Sequence, residues 1–210
     1  LDQYGGLIQW KTWGENGYDY SQPSVKSIGE DDQGNIFFSG SRTNRQTQIT
    51  EGVLIKLSPA LDIIWEKQYL TGWDRLEFSS LLILEDETVY MTGYRQMNGT
   101  IDSEVVLVKV DSLGEVIWTR SYGSQNQNIG YSLSQVGLNN IYIGGTSRDL
   151  VVQDADAYIL RVDTGGNLIW DTLVGGNSID GVAYAITKAN ENALVASHYT
   201  DSTVAQTSFF

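Results

Sequence analysis

The chain has no cysteine, a single histidine and two prolines among its 210 residues. Without cysteine there is no disulfide, no thiol nucleophile and no zinc–thiolate site. The lone histidine, His198, disfavours metal clusters and mechanisms that need several imidazoles. No Gly-x-Ser-x-Gly sequence is present, so nothing supports a nucleophile elbow for a Ser–His–Asp triad. Basic residues are scarce: 13 Lys and Arg stand against 26 Asp and Glu, a net charge of −13. That balance argues against nucleic acid, whose binding needs a basic stripe to displace counterions. It favours solubility and leaves cations or cationic partners open. No apolar run approaches the roughly 18 residues needed to span a bilayer, so membrane insertion is not expected. The chain opens at Leu1 without a charged n-region and apolar h-region, and reads as a processed mature protein or a piece of a longer one.

What is present is a rhythm. Trp10, Trp65, Trp118 and Trp170 are spaced by 55, 53 and 52 residues and close similar phrases: Leu7-Ile8-Gln9-Trp10, Asp62-Ile63-Ile64-Trp65, Glu115-Val116-Ile117-Trp118 and Asn167-Leu168-Ile169-Trp170. A fixed period in this range is the signature of a repeat architecture. Within each period, short runs of β-branched and aromatic residues alternate with Gly, Asn and Asp breaks, and no helical period is sustained. Four antiparallel strands per repeat of about 40–55 residues is the pattern of a β-propeller blade. Inner strands are expected near 23–28, 78–84, 131–136 and 182–187, and second strands near 35–40, 88–94, 140–145 and 193–198. Third strands are expected near 52–57, 104–110, 157–162 and 204–210, and outer strands near 7–13, 63–69, 115–121 and 168–174. The chain thus starts with an outer strand and ends with three strands that lack one.

The phase predicts an all-β fold: a single domain over 1–210, a propeller of four four-stranded blades. These lie near 22–70, 77–122, 131–174 and 181–210, the last closed three-plus-one by residues 7–13. The alternative is half of a seven- or eight-bladed ring.

Asp111-Ser112-Leu113-Gly114 and Asp163-Thr164-Gly165-Gly166 are turn sequences in which Asp caps its own turn and Gly takes positive φ. Asp2 to Gly6 is a longer variant, and Ser58-Pro59-Ala60-Leu61 departs from the pattern. A calcium reading of these turns lacks the carboxylate density of a calcium loop, and no metal or cofactor is expected. The four recurrent Trp residues read as packing between blades. Trp13 and Trp73 break the repeat and are better ligand candidates.

The phrase Leu107 to Trp118, followed by Ser121-Tyr122-Gly123, resembles the propeller repeats of secreted and surface proteins of the Bacteroidetes. A weaker similarity links Asp2, Gly6 and Trp10 to the tryptophan-docking repeats of quinone-dependent dehydrogenases and outer-membrane assembly propellers. The first resemblance implies an extracellular or bacterial cell-surface, non-catalytic module and specifies no ligand.

Connections from outer to inner strands, and from second to third strands, are long and polar and would share one face, the expected binding face. Second strands end in Gly40-Ser41-Arg42, Gly93-Tyr94-Arg95, Gly145-Thr146-Ser147-Arg148 and Ala196-Ser197-His198. Acids follow at Glu51, Asp102 or Glu104, Asp154 or Asp156, and Asp201. Either these are repeated loop-stabilising Arg–carboxylate pairs, or Arg42, Arg95, Arg148 and His198 ring a pocket for an anionic group. Trp13, Tyr18 and Trp73, with Tyr20, Tyr94 and Tyr199, add aromatic surface suited to polar recognition. The leading expectation is a binding or scaffolding module for a protein or glycan. The alternatives are a glycan hydrolase using loop carboxylates or a structural subunit of a surface assembly; the oligomeric state is left open.

Overall fold

The computed structural model describes residues 6–7, 9–21, 27–69, 72, 74–97, 99–123, 125–152, 154–175, 179–189, 192–201 and 205–209, those beyond 175 by backbone alone. The fold is all-β, and no helix occurs among the described residues. Four strands, β2 (Ile28–Glu30), β3 (Ile36–Asn44), β4 (Thr50–Leu57) and β5 (Ile63–Tyr69), make the first repeat. The second comprises β6 (Arg75–Ile83), β7 (Val89–Gln96), β8 (Glu104–Val110) and β9 (Val116–Tyr122). The third comprises β10 (Gln127–Val136), β11 (Asn140–Arg148), β12 (Ala155–Asp163) and β13 (Leu168–Val174). β14 (Ile179–Ala189), β15 (Asn192–Asp201) and β16 (Ala205–Phe209) follow. An additional strand, β1 (Tyr18–Ser21), precedes them all.

The closed four-blade propeller expected from the rhythm is overturned by the sheet order. The first two repeats merge into one mixed nine-stranded sheet, β1-β3-β4-β6-β7-β8-β9, with β2 on β3 and β5 on β4. Their junction is a parallel pairing of Thr50 with Arg75, held by Thr50 N–H donating to Asp74 O at 3.0 Å. Among the described residues the other sheets have four strands (β10-β11-β12-β13) and three (β14-β15-β16), and none closes. Nor do nine, four and three strands divide into the equal blades of a larger ring.

The N-terminal residues explain part of the departure. Residues 6–7 and 9–13 form no strand, and Leu7 and Trp10 are exposed. Instead of completing the last sheet, this segment lies along the turn after β4: Gln9 Nε2 donates to Ala60 O at 2.7 Å, and Lys11 pairs with Asp62. Past it, Gly14 and Gly17 at positive φ redirect the chain so that β1 runs antiparallel to β3, with Tyr18 opposite Asn44 and Ser21 opposite Ser41.

Two clusters of buried side chains hold the repeats together. The first joins Phe37 and Leu54 to Leu76, Phe78, Met91, Val106 and Val108. The second joins Tyr90, Val105 and Leu107 to Leu133, Ile141, Ile143 and Leu160. Strand alternation sends Val106 and Val108 to one cluster and Val105 and Leu107 to the other, so β8 is apolar on both faces and reads as a continuous run. Burying each such side chain contributes about 1.5–3 kcal/mol. The far face of the third sheet carries Val136, Tyr142, Ala157 and Ile159, and β14 packs on β10, β11 and β12.

Candidate functional site

The meander puts the turns that follow β2, β4, β6, β8, β10 and β12 at one end of its sheets and the other connections at the opposite end; because the strands run further than the sequence suggested, the two sets are of similar length. At the first end the aspartates are committed to the backbone. Asp111 Oδ1 accepts from the amides of Leu113 and Glu115, both at 2.9 Å. Asp163 Oδ1 accepts from those of Gly165 and Asn167, and its Oδ2 from Asn167 Nδ2. Asp31 does the same with Gln33 and Asn35 and also pairs with Lys56 at 3.1 Å. The side-chain bond from Asn167, then that residue's amide, hold the Asp163 carboxyl below the usual carboxylate range. These oxygens cap turns, which is the turn reading of the motif.

At the opposite end, the arginines and acids expected there meet in two repeats. Arg42 and Glu51 face each other across β3 and β4, with Nε donating to Glu51 Oε2 at 2.8 Å. Its Nη1 reaches Glu15 at 2.8 Å and Glu66 at 3.8 Å, and its guanidinium lies 4.2 Å from the centre of the Tyr18 ring. Tyr20 completes this group by donating to Glu66 Oε1 at 3.2 Å. Arg95 and Glu104 occupy the same register across β7 and β8, with bonds of 3.0 and 2.8 Å, and Arg95 Nη2 donates to Ser121 Oγ. Both guanidinium groups are largely covered, so their geometry is that of internal ion pairs.

The third repeat differs. Gly145 occupies the register of Gly40 and Gly93, but one extra residue separates it from the arginine. Ser147 therefore stands opposite Asp156, where an arginine stands in the first two repeats. Arg148 pairs in register with Ala155, falls on the other face of β11 and is exposed. Asp156 keeps the acid without its cation. Its Oδ1 is buried and has no hydrogen-bond partner. Burial, and then the neighbouring Asp154 charge, push its carboxyl above the usual range.

Of the remaining candidates, Trp13 is partly exposed and Tyr18 lies over Arg42. Trp73 lies outside the described residues. His198 is described by backbone alone, in β15 opposite Val182 and Thr207, and Asp201 ends that strand. The structure therefore gathers Tyr18 with Arg42, keeps Arg95 in a separate pair and sends Arg148 to the surface.

A groove that sequence reading missed lies where the β3–β4 and β7–β8 connections of the first two repeats meet. It holds about 180 Å³ and is lined by Thr47, Gln48, Asp74, Arg75, Gln96 and Met97, among others. The connections are held by their own hydrogen bonds: Asn44 Oδ1 accepts from the amides of Gln46 and Thr47, and Gln96 Nε2 donates to Thr100 O at 2.8 Å. Arg75 bonds to Glu77 through Nε at 2.6 Å, and half of its side chain remains exposed. The groove's residues belong to no repeated motif; only the polarity of the two connections points to it.

No helix of the described residues is long and apolar enough to cross a membrane. Among the described residues no group of three or more His, Cys, Asp or Glu could hold a metal ion. No protein-family model matches this chain, and no curated protein matches it.

Proposed function

We propose that this chain is a non-catalytic binding module, secreted or displayed on a bacterial surface, that takes a glycan or protein partner in the groove between its first two repeats. The observation that carries this reading is the meeting of the β3–β4 and β7–β8 connections at one polar groove, each connection held by its own hydrogen bonds. Thr47, Gln48, Gln96 and Thr100 offer hydroxyl and carboxamide groups, and Arg75 a half-exposed guanidinium. Met97, half exposed, puts apolar surface beside them. That mixture of adaptable polar groups and small apolar contacts suits a hydroxyl-rich or peptide surface. The resemblance of the Leu107–Trp118 phrase to secreted surface repeats supports the location.

The test is binding to a panel of immobilised glycans and surface proteins by wild type and an Arg75→Ala/Gln96→Ala variant. The variant should lose binding at least about tenfold, the equivalent of one or two polar contacts. It should stay folded but melt somewhat lower than wild type, because Glu77 is largely covered and loses its cation. Binding that survives intact in a folded variant removes the groove from consideration.

A further inference from the structure

We infer that a pocket between the second and third repeats binds the carboxylate of a small monocarboxylic acid through Lys109. It lies at the other end of the strands from the groove and shares no residue with it, so it stands or falls independently.

The three repeats place a cation and an aromatic ring at one register. Phe37 stands opposite Lys56, Tyr90 opposite Lys109 and Tyr142 opposite Arg161. Each cation lies over its ring, at 4.8, 5.0 and 5.9 Å from the centre. In the first repeat the cation also meets an acid: Lys56 Nζ lies 3.1 Å from Asp31 Oδ2, and both side chains are covered. In the third, Arg161 donates to Asn140 Oδ1 at 3.1 and 3.0 Å. In the second repeat the acid is gone. The turn after β6 repeats the bonds of the turn after β2: Leu84 N–H donates to Thr88 O and Glu87 N–H to Leu84 O. Asp31 N–H donates in the same way to Asn35 O, and Gly34 N–H to Asp31 O. Leu84 therefore stands where Asp31 stands, and it packs on the second buried cluster. Lys109 keeps its ring and forms no hydrogen bond or ion pair among the described residues.

The space for a ligand lies against that lysine. A pocket of about 310 Å³ is lined by Leu84, Tyr90, Lys109, Gln135, Leu138 and Thr164. That is the lower end of the range of small-molecule sites, roughly 300–1,000 Å³. Lys109 is part of its wall, so a ligand that enters meets the lysine directly. The wall is fixed by the Tyr90 hydroxyl, which donates to Thr164 O at 2.8 Å and ties β7 to the turn after β12. An ammonium without a partner gains most from an ionised acceptor, and the first repeat shows that a carboxylate fits this register. Glu85 and Asp86 also line the pocket. Asp86 is engaged in its own turn, Oδ1 accepting from the Thr88 amide at 3.1 Å and from its hydroxyl at 2.6 Å. These acids set the charge class: they repel phosphate and polyacids more than a ligand with a single negative charge. Leu84, Leu138 and the Tyr90 ring offer apolar surface to the body of such an acid.

The test follows backbone amide shifts of the whole chain during titration with sodium butyrate, with sodium chloride, butanol and sodium phosphate as separate arms. Saturable shifts at Leu84, Lys109 and Thr164 are expected with butyrate. They should weaken at least about tenfold in Lys109→Met, which keeps an apolar stem over Tyr90 and removes the charge. Leu84→Asp restores the acid of the first repeat from within. It should likewise lose butyrate, which keeps the test valid if Lys109→Met does not fold. No saturable shift up to about 50 mM butyrate overturns the assignment. So does an equal response to butanol or phosphate, a response reproduced by chloride, or undiminished butyrate binding by either folded variant.

Discussion

At Gly114 an added Cβ would lie 2.8 Å from Lys67 Cγ and 3.1 Å from the Trp65 ring, and at Gly166 2.9 Å from the Trp118 ring. Both glycines also hold φ at +78°, where a side chain is strained. A glycine in the turn of one repeat is thus what lets the tryptophan of the preceding repeat close down. Tyr69 and Tyr122 seal the contact by donating to Gly114 O and Gly166 O at 2.9 and 2.7 Å. In the first repeat the corresponding residue is Leu61, at φ +62°, and Trp10 above that turn is 69% exposed. Gly114→Ala and Gly166→Ala should each lose about 1–3 kcal/mol in chemical denaturation, combining backbone strain with displaced packing. Leu61→Gly should shift tryptophan emission to the blue as Trp10 approaches its turn. A neutral Gly114→Ala would show that the contact has slack.

The strand pairs carry the second prediction. Arg95 and Glu104 are covered on both sides of one ladder, so removing the cation strands a partly buried acid. Arg95→Met should cost about 1–3 kcal/mol, reduced from the fully buried case because Glu104 keeps some exposure. Arg148→Ala, whose side chain is exposed at the end of β11, should stay within about 0.5 kcal/mol. Equal effects at the two sites, measured by thermal melting, would contradict the register.

That contrast also marks how far the sequence is legible. Strands β5, β8 and β13 run over nearly the residues that the β-branched runs and the tryptophan rhythm point to, because period-2 burial and turn chemistry are local. The Arg42–Glu51 and Arg95–Glu104 pairs were open to reading for the same reason. Arg148 was not, since one inserted residue turns a side chain to the opposite face without altering composition. The sheet arrangement was hidden too. Whether the N-terminal segment completes the last sheet or lies on the first depends on contacts such as Gln9 with Ala60 and on β1 joining β3, which no periodicity encodes. The groove depends on two connections meeting in space, and its residues carry no motif.

At the scale of the molecule, the charge of −13 and the capped aspartates set opposing responses to acid. Asp163 and Asp86 have folded carboxyls held below their ordinary value by the side-chain bonds of Asn167 and Thr88. At Asp31 burial opposes the shift, but bonds from Asn35 and Lys56 overcome it. A carboxyl with a depressed folded pKa contributes stability above its unfolded value of about 4, and that stability is lost as pH falls through the folded value. Asp156 has the opposite sign: its folded pKa is raised, so its penalty is present at neutral pH and is relieved on protonation as pH falls toward its unfolded value. Self-repulsion among excess acids also weakens as pH falls from 7. Melting temperature should therefore rise from pH 8 to about pH 5 and drop below about pH 4 as the turn caps protonate. Asp156→Asn should melt above wild type at pH 7 and converge with it near pH 4, because only the ionised carboxylate is penalised. A melting temperature that keeps climbing to pH 3 would show that repulsion outweighs the caps. A variant difference that persists at pH 4 would show that the buried oxygen is costly for its shape rather than its charge.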